Sequence, residues 1–336
     1  MLARLLTFCI VLLSASTVQA QLATELKGIF GEGIAVGQAA DFASPFAYAL
    51  YADGSVAVLD YGRCDLTRIA ADGRVLWRSG RKGSGPGEFQ LPVRVLILPD
   101  QSSLVFDPGK VGMSHIGADG KYLTELVSDI KLRIDHMLAL PNGQIVILGD
   151  TDDPRGQGAA LHVLTARLQH VRSFGRLPEL KDPRVLSSFG TGGITLTADG
   201  LILHTRFFPY EISKYGLDGS ELFRLRVPLV VSTPEQFVRI DVFEGRVTRT
   251  VNPTLLRPTP ARDLGTGQFL GGRAQGKILT FDIIHSDGTI KSSSPTPPSW
   301  QFVVAVDRVR RRFWVAGDSD DIPVLWRVPF GPMMPP

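Results

Sequence analysis

The sequence predicts an all-β protein, a six-bladed β-propeller of four-stranded blades with a short helical insertion between blades 4 and 5. A unit consisting of a polar turn, a short apolar run and an acid recurs six times along the chain. A second turn lies inside most of the intervals between units, and the intervals have the length of one propeller blade. A single four-stranded blade leaves both its apolar faces bare, so such units must stack around an axis.

The chain opens with Arg4, an apolar run from Leu5 to Leu13 and a small-residue end at Val18-Gln19-Ala20. That is the grammar of a secretory signal, too short to span a bilayer. Residues 1–20 are therefore expected to be a signal peptide and residues 21–336 a single propeller domain, secreted or periplasmic after cleavage near Ala20. Cys9 leaves with the signal, so Cys64 stands alone without an intramolecular disulfide partner. It falls in the turn Tyr61-Gly62-Arg63-Cys64-Asp65 and reads as a packed thiol. Lys and Arg number 36 against 33 Asp and Glu, a net +3, too even a balance to indicate a nucleic-acid or membrane partner.

The six units run Asp53-Gly54 to Asp60, Asp100-Gln101 to Asp107, Asn142-Gly143 to Asp150, Asp199-Gly200 to Arg206, Gln275-Gly276 to Asp282 and Arg311-Arg312 to Asp318. Second turns follow at Asp72-Gly73, Asp119-Gly120, Asp218-Gly219 and Asp287-Gly288, polar pairs that let flanking strands reverse, and Leu168-Gln169 replaces the pair in the third interval. The last unit shows none. Its Val324–Val328 run reads as an outer strand, and the segment before Phe46 is a candidate closing strap for the same blade.

The long interval carries the insertion, residues 229–262. Thr233 as N-cap, Pro234 at the first helical position and Gln236 as the far half of a capping box predict a short helix there. Asn252-Pro253 and Arg257-Pro258-Thr259-Pro260 then read as loop.

The segment Gly83-Ser84-Gly85-Pro86-Gly87-Glu88-Phe89, continuing Gln90-Leu91-Pro92, resembles the signature of NHL repeats. The resemblance implies a link between the outer strand of one blade and the inner strand of the next. Phosphate binding by the same glycines is disfavoured, because Pro86 removes an N–H and a strand, not a helix, follows.

In the resembling fold the closing acids Asp60, Asp107, Asp150, Asp282 and Asp318 share one rim. Recurrence suggests that each caps a turn or pairs with a nearby base, Asp107 with Lys110 and Asp60 with Arg63 or Arg68. Function is better sought where the repeat breaks. Arg206 replaces the closing acid of blade 4, either to bind an anion or to answer a neighbouring acid. Arg94 and His136, six residues before their turns, fall at the mouth of the channel, with a structural histidine as the alternative for His136. The acidic loops Asp150-Thr151-Asp152-Asp153 and Asp318-Ser319-Asp320-Asp321 suit Ca²⁺ or are simply solvated turns, neither having EF-hand spacing.

No two of His115, His136, His162, His170, His204 and His285 lie at a close metal-ligand spacing, and neither a Gly-x-Ser-x-Gly elbow nor a His-Glu-x-x-His motif occurs. The expectation is a monomeric extracytoplasmic scaffold that binds a protein, peptide or small molecule at the rim carrying Arg94, His136 and Arg206. It needs no cofactor, with Ca²⁺ or Zn²⁺ the candidates if one is used. The alternative, drawn from lactonases and lyases on related propellers, is a metal-dependent hydrolase or lyase at the channel mouth, with acids such as Asp60, Asp107 or Asp282 as ligands or bases. Three or more convergent carboxylates or imidazoles in the channel would favour the enzyme, and a lining of Phe46, Ala47 and Gly193 the scaffold.

Overall fold

The computed structural model describes residues 33–37, 42–177, 192–228, 236, 238–243, 246–251, 257–265, 267–275, 278–292, 300–319 and 322–331. The signal-peptide expectation therefore lies outside the described residues. After β1 (Ile34–Gly37), blade 1 comprises β2 (Pro45–Leu50), β3 (Val56–Asp60), β4 (Asp65–Ile69) and β5 (Val75–Ser79). Blade 2 is β6 (Arg94–Ile97), β7 (Ser103–Phe106), β8 (Met113–Ile116) and β9 (Tyr122–Leu126). Blade 3 is β10 (Arg133–Ala139), β11 (Ile145–Asp150), β12 (Ala159–Leu164) and β13 (His170–Arg176), and blade 4 is β14 (Gly193–Leu196), β15 (Ile202–Arg206), β16 (Glu211–Tyr215) and β17 (Glu221–Arg226). A separate hairpin, β18 (Val238–Phe243) with β19 (Arg246–Val251), precedes blade 5, which holds β20 (Arg257–Asp263), β21 (Gln268–Gln275), β22 (Ile278–His285) and β23 (Ile290–Ser292). Blade 6 holds β24 (Trp300–Asp307), β25 (Arg312–Ser319) and β26 (Ile322–Pro329).

The fourth strand of blade 6 is β1, antiparallel to β26 with Ile34 opposite Arg327 and Ala35 opposite Trp326. That is why the last unit has no second turn: its outer strand comes from the other end of the chain. The closing strap is thus seen directly, and Arg327 Nη1 donates to the Ala71 carbonyl of blade 1 at 2.9 Å across the join.

Burial follows position in the blade. Every residue of β3 is buried, because a second strand has a hydrogen-bonded neighbour on each side and a blade on each face, whereas β5 on the rim alternates between exposed and half-buried. The core is divided among the gaps between blades. Tyr51, Leu59 and Leu66 of blade 1 meet Val95, Val105 and Ile116 of blade 2, and the series ends with Trp314, Ala316 and Leu325 of blade 6 against Val56, Val58 and Ile69 of blade 1. Tyr51 donates to or accepts from Ser103 across the first gap at 2.8 Å, satisfying a buried hydroxyl.

Two expectations need correction. Of the expected helix only Gln236 is described before Val238, and it is helical; from Val238 the chain is not helix but the β18–β19 hairpin, with Val238 opposite Val251 and Val242 opposite Val247. β-Branched residues in the run from Val238 favour the hairpin there; residues 229–235 and 237, which include Thr233 and Pro234, lie outside the described residues. The insertion is also shorter than expected, since Arg257–Asp263 is the inner strand of blade 5. Its prolines are tolerated because the channel-side edge of an inner strand forms no ladder, and the register shifts between Thr259 and Arg262.

The second correction concerns the fifth repeat unit. Gln275-Gly276 separates the second and third strands, not the first and second, and Asp282 lies in the third strand. The inner turn of blade 5 holds Gly265 and Gly267, at φ of 77° and 74°, a left-handed conformation that suits glycine.

Candidate functional site

The inner strands of all six blades enclose a central channel with a cavity of about 730 Å³. Its walls are largely aliphatic, including Leu50, Leu96, Ile97, Met137, Leu138 and Val303; Phe46 and Ala47 line it, and Gly193 is not among the lining residues. The charged residues facing it are Arg94, Arg262, Arg308, Asp135 and Asp263, joined by His136.

Arg94 and His136 do meet in this channel. Arg94 Nε donates to the Asp135 carbonyl at 2.6 Å and Nη1 to the Val93 carbonyl at 2.7 Å, so its head is fixed by backbone. The Phe46 ring centroid lies 5.8 Å from the guanidinium carbon, within cation–π range. Burial lowers the Arg94 pKa, and the Asp135 charge opposes this.

His136 is pushed down to about 3, first by burial and then by the Arg94 and Arg262 charges. It is a neutral imidazole at physiological pH, and its Nδ1 is buried with no hydrogen-bond partner among the described residues. Arg262, which the sequence reading placed within the insertion, lies on β20 and faces the channel. Its Nη2 has only two long contacts, to the carbonyls of Val303 at 3.3 Å and Val304 at 3.4 Å, and its buried Nε has no partner among the described residues. Burial alone pulls its pKa down to about 10. Recognising Gly265-x-Gly267 as the inner turn would have placed Arg262 on an inner strand.

Arg206 is separated from these residues. It does not line the channel; it faces Glu211 across β15 and β16, with Nη1 3.4 Å from Oε1, and Nη2 donates to the Arg176 carbonyl at 3.0 Å. The partner belongs to its own blade, not the neighbouring one.

Two of the closing acids, Asp60 and Asp107, serve the backbone rather than the bases expected for them, whereas Asp150 and Asp282 each meet an arginine. Asp60 accepts from the N–H groups of Ala43 at 2.6 Å, Ser44 at 3.0 Å and Arg63 at 2.9 Å, while Arg63 itself pairs with Asp65 and Arg68 with Asp53. Asp107 likewise holds Gln90 and Leu91, and the Lys110 ammonium instead meets Glu125 at 3.1 Å. Asp282 receives Arg273 side-on, Nε at 2.8 Å and Nη2 at 2.9 Å.

In the first acidic loop Asp150 pairs with Arg133, and Asp153 takes both Nε and Nη2 of Arg155 while Asp129 takes its Nη1. Those bonds hold the Asp153 carboxyl down at about 2. Asp152 is exposed. In the second segment Asp318 lies within β25, which runs to Ser319, and Asp320 and Asp321 lie outside the described residues. Among the described residues no group of three or more His, Cys, Asp or Glu side chains is placed to hold a metal ion.

The glycine-rich segment bridges blades 1 and 2. Phe89 is fully buried between them, Glu88 accepts from the Gly85 N–H at 2.9 Å and from Arg81 at 2.8 Å, and Lys110 donates to the Gly85 and Glu88 carbonyls. Cys64 is buried in the same gap, its thiol pKa raised by burial and its Sγ 3.5 Å from the Tyr61 carbonyl.

No protein-family model matches the chain, and no curated protein matches it by sequence. Solved structures do match over most of its length. A putative exported protein from Bacteroides fragilis superposes with a TM-score of 0.56 at 11% identity, covering 86% of this chain and 91% of that one. Virginiamycin B lyase from Staphylococcus aureus gives 0.50 at 12%, over 89% and 98% of the two chains, and a gluconolactonase from Xanthomonas campestris 0.52 at 15%, over 91% and 92%. This chain therefore has the fold of six-bladed propellers that include lyases and lactonases, and identities this low bear on fold alone.

Proposed function

We propose that the protein is an extracytoplasmic binding scaffold of the NHL-like propeller type, with its ligand in the central channel at the end bearing Arg94 and His136. The observation behind this reading is the cavity itself: a mostly aliphatic space of about 730 Å³ into which a few polar groups converge, the usual make-up of a small-molecule site. Arg206, engaged by Glu211, is left out of the site. Export is part of the reading and is tested by N-terminal sequencing of the mature chain, expected to begin near Gln21.

The test of the site is a thermal-shift screen of a chemically varied small-molecule set against the wild type and Ala47→Phe, which narrows the channel beside Arg94. Channel ligands raise the wild-type Tm and leave the variant unmoved. A variant stabilised by the same compounds to the same extent would place binding elsewhere.

A metal-dependent lyase or hydrolase is the second reading, favoured by the lyase and gluconolactonase among the similar folds. Against it, His136, Asp135 and Asp263 line the channel but are not grouped to hold a metal ion among the described residues, and Asp60, Asp107 and Asp282 are occupied elsewhere. Stoichiometric zinc or calcium in the purified mature protein would move the balance to this reading.

A further inference from the structure

Resting on the channel reading above, we infer that the ligand is an organic monoanion, a carboxylate with an apolar body, whose head is taken between Arg94 and Arg262 beside His136. The argument starts from how this chain treats its other arginines. Arg63, Arg68, Arg133, Arg155, Arg273 and Arg312 each stand within salt-bridge distance of a carboxylate. Arg94 and Arg262 face the enclosed channel, and among the described residues neither has a carboxylate within that distance.

A guanidinium withdrawn from water without a counter-ion is costly, and Arg94 and Arg262 line the channel with no carboxylate within salt-bridge distance among the described residues. Their donors are only partly used. Arg262 keeps a buried Nε with no partner among the described residues and two stretched contacts through Nη2, while Arg94 spends Nε and Nη1 on carbonyls. His136 Nδ1 adds a second buried, unpartnered polar atom in the same enclosure.

The charge count sets the valence. Arg308 reaches the Asp263 carboxylate at 3.9 Å, and Asp263 is further held by the N–H groups of Ala198 and Gly265, so this pair is internally settled. Counting Asp135 as well, the described residues lining the channel sum to one positive charge. One excess charge matches a carboxylate better than a phosphate dianion, and the planar fork of arginine suits carboxylate oxygens. The aliphatic walls below Arg94 supply the surface for an apolar body.

The experiment is calorimetric titration of the full mature protein with phenylacetate and octanoate, against phenylacetamide, octanamide, octylamine and inorganic phosphate. The carboxylates are expected to bind at least tenfold tighter than their amides, the amine and phosphate, with affinity falling as salt rises. Arg94→Met and Arg262→Met should each weaken carboxylate binding at least tenfold, and the Lys variants less. Should a Met variant fail to fold, the carboxylate-to-amide ratio on the wild type decides alone. Amides binding as well as carboxylates in the wild type, but not in Ala47→Phe, would overturn the anion inference and leave the channel site standing. Carboxylates binding Ala47→Phe as tightly as the wild type would overturn both.

Discussion

Asp107 holds the chain leading into its own blade in the same register that Asp60 uses one blade earlier. In each, Oδ2 accepts from the N–H seventeen residues upstream at 2.6 Å and Oδ1 from the N–H sixteen upstream at 3.0 Å. The acid thus ties the end of a second strand to the segment entering the inner strand. Asp107→Ala strands three N–H groups, since Gly109 also donates to Oδ1 at 2.8 Å. Gln90, Leu91 and Gly109 are exposed, so water can meet their N–H groups once the carboxylate is gone, and the expected loss is about 1–3 kcal/mol in all. Asp107→Asn, which retains one carbonyl oxygen, should lose less. Urea unfolding measures both, and an unchanged midpoint for the alanine variant would remove the anchoring role.

Ring closure gives the second prediction. Removing β1 uncovers the β26 edge and opens the seal between the ends of the chain, although few apolar contacts are lost. A chain beginning at Phe42 should unfold at markedly lower temperature and associate through the bared edge, because an unpaired strand recruits another. Sedimentation and thermal unfolding of the two lengths make the comparison. Equal Tm and a monodisperse truncated chain would show that β1 is dispensable.

What the sequence disclosed depended on what a residue's neighbours in the chain can reveal. Turn dipeptides such as Asp53-Gly54 and Asp119-Gly120 act over a few residues, so four of the five inner turns expected before the last blade lie where they were read, along with the blade number. Blade 5 was misread because its inner strand carries prolines, allowed only by an edge that the ring leaves unladdered. The same error hid Arg262. Arg94 and His136 were legible from their offset to the turn, but the Arg206 partnership with Glu211 depends on cross-strand pairing that spacing alone does not assign.

That partnership supplies the third prediction. With side chains only 14% and 9% exposed, Arg206 and Glu211 form a largely enclosed pair. Arg206→Met leaves Glu211 with only the more distant Arg224, at 3.8 Å, and should cost about 1–3 kcal/mol. Arg206→Met combined with Glu211→Gln should recover part of the loss, a coupling that a double-mutant cycle reads. Affinity for a channel ligand should not change in Arg206→Met once the protein is folded. A tenfold loss there would return Arg206 to the binding site.

The enclosed imidazoles make stability depend on pH in a definite direction. His136 is pushed down to about 3 and His162 to about 4 from an ordinary value of 6.5, burial being the first cause in both. Above pH 6.5 neither the folded nor the unfolded chain protonates them, so their contribution is fully present. As pH falls below 6.5 the unfolded chain gains protons that the folded chain refuses, and stability is lost down to about pH 3 for His136. Each withheld proton removes at most about 1.4 kcal/mol per pH unit. Between pH 6.5 and 5 most carboxylates stay ionised, so the histidines dominate the slope there. His136→Gln should flatten the fall in urea midpoint over that interval by roughly one proton's worth. His162, whose Nδ1 lies 2.8 Å from Ser173 Oγ, should retain its own share of the slope in that variant. An unaltered slope in His136→Gln would mean that water reaches the imidazole freely, and the channel would then be open to solvent at the depth where Arg94 and Arg262 meet it.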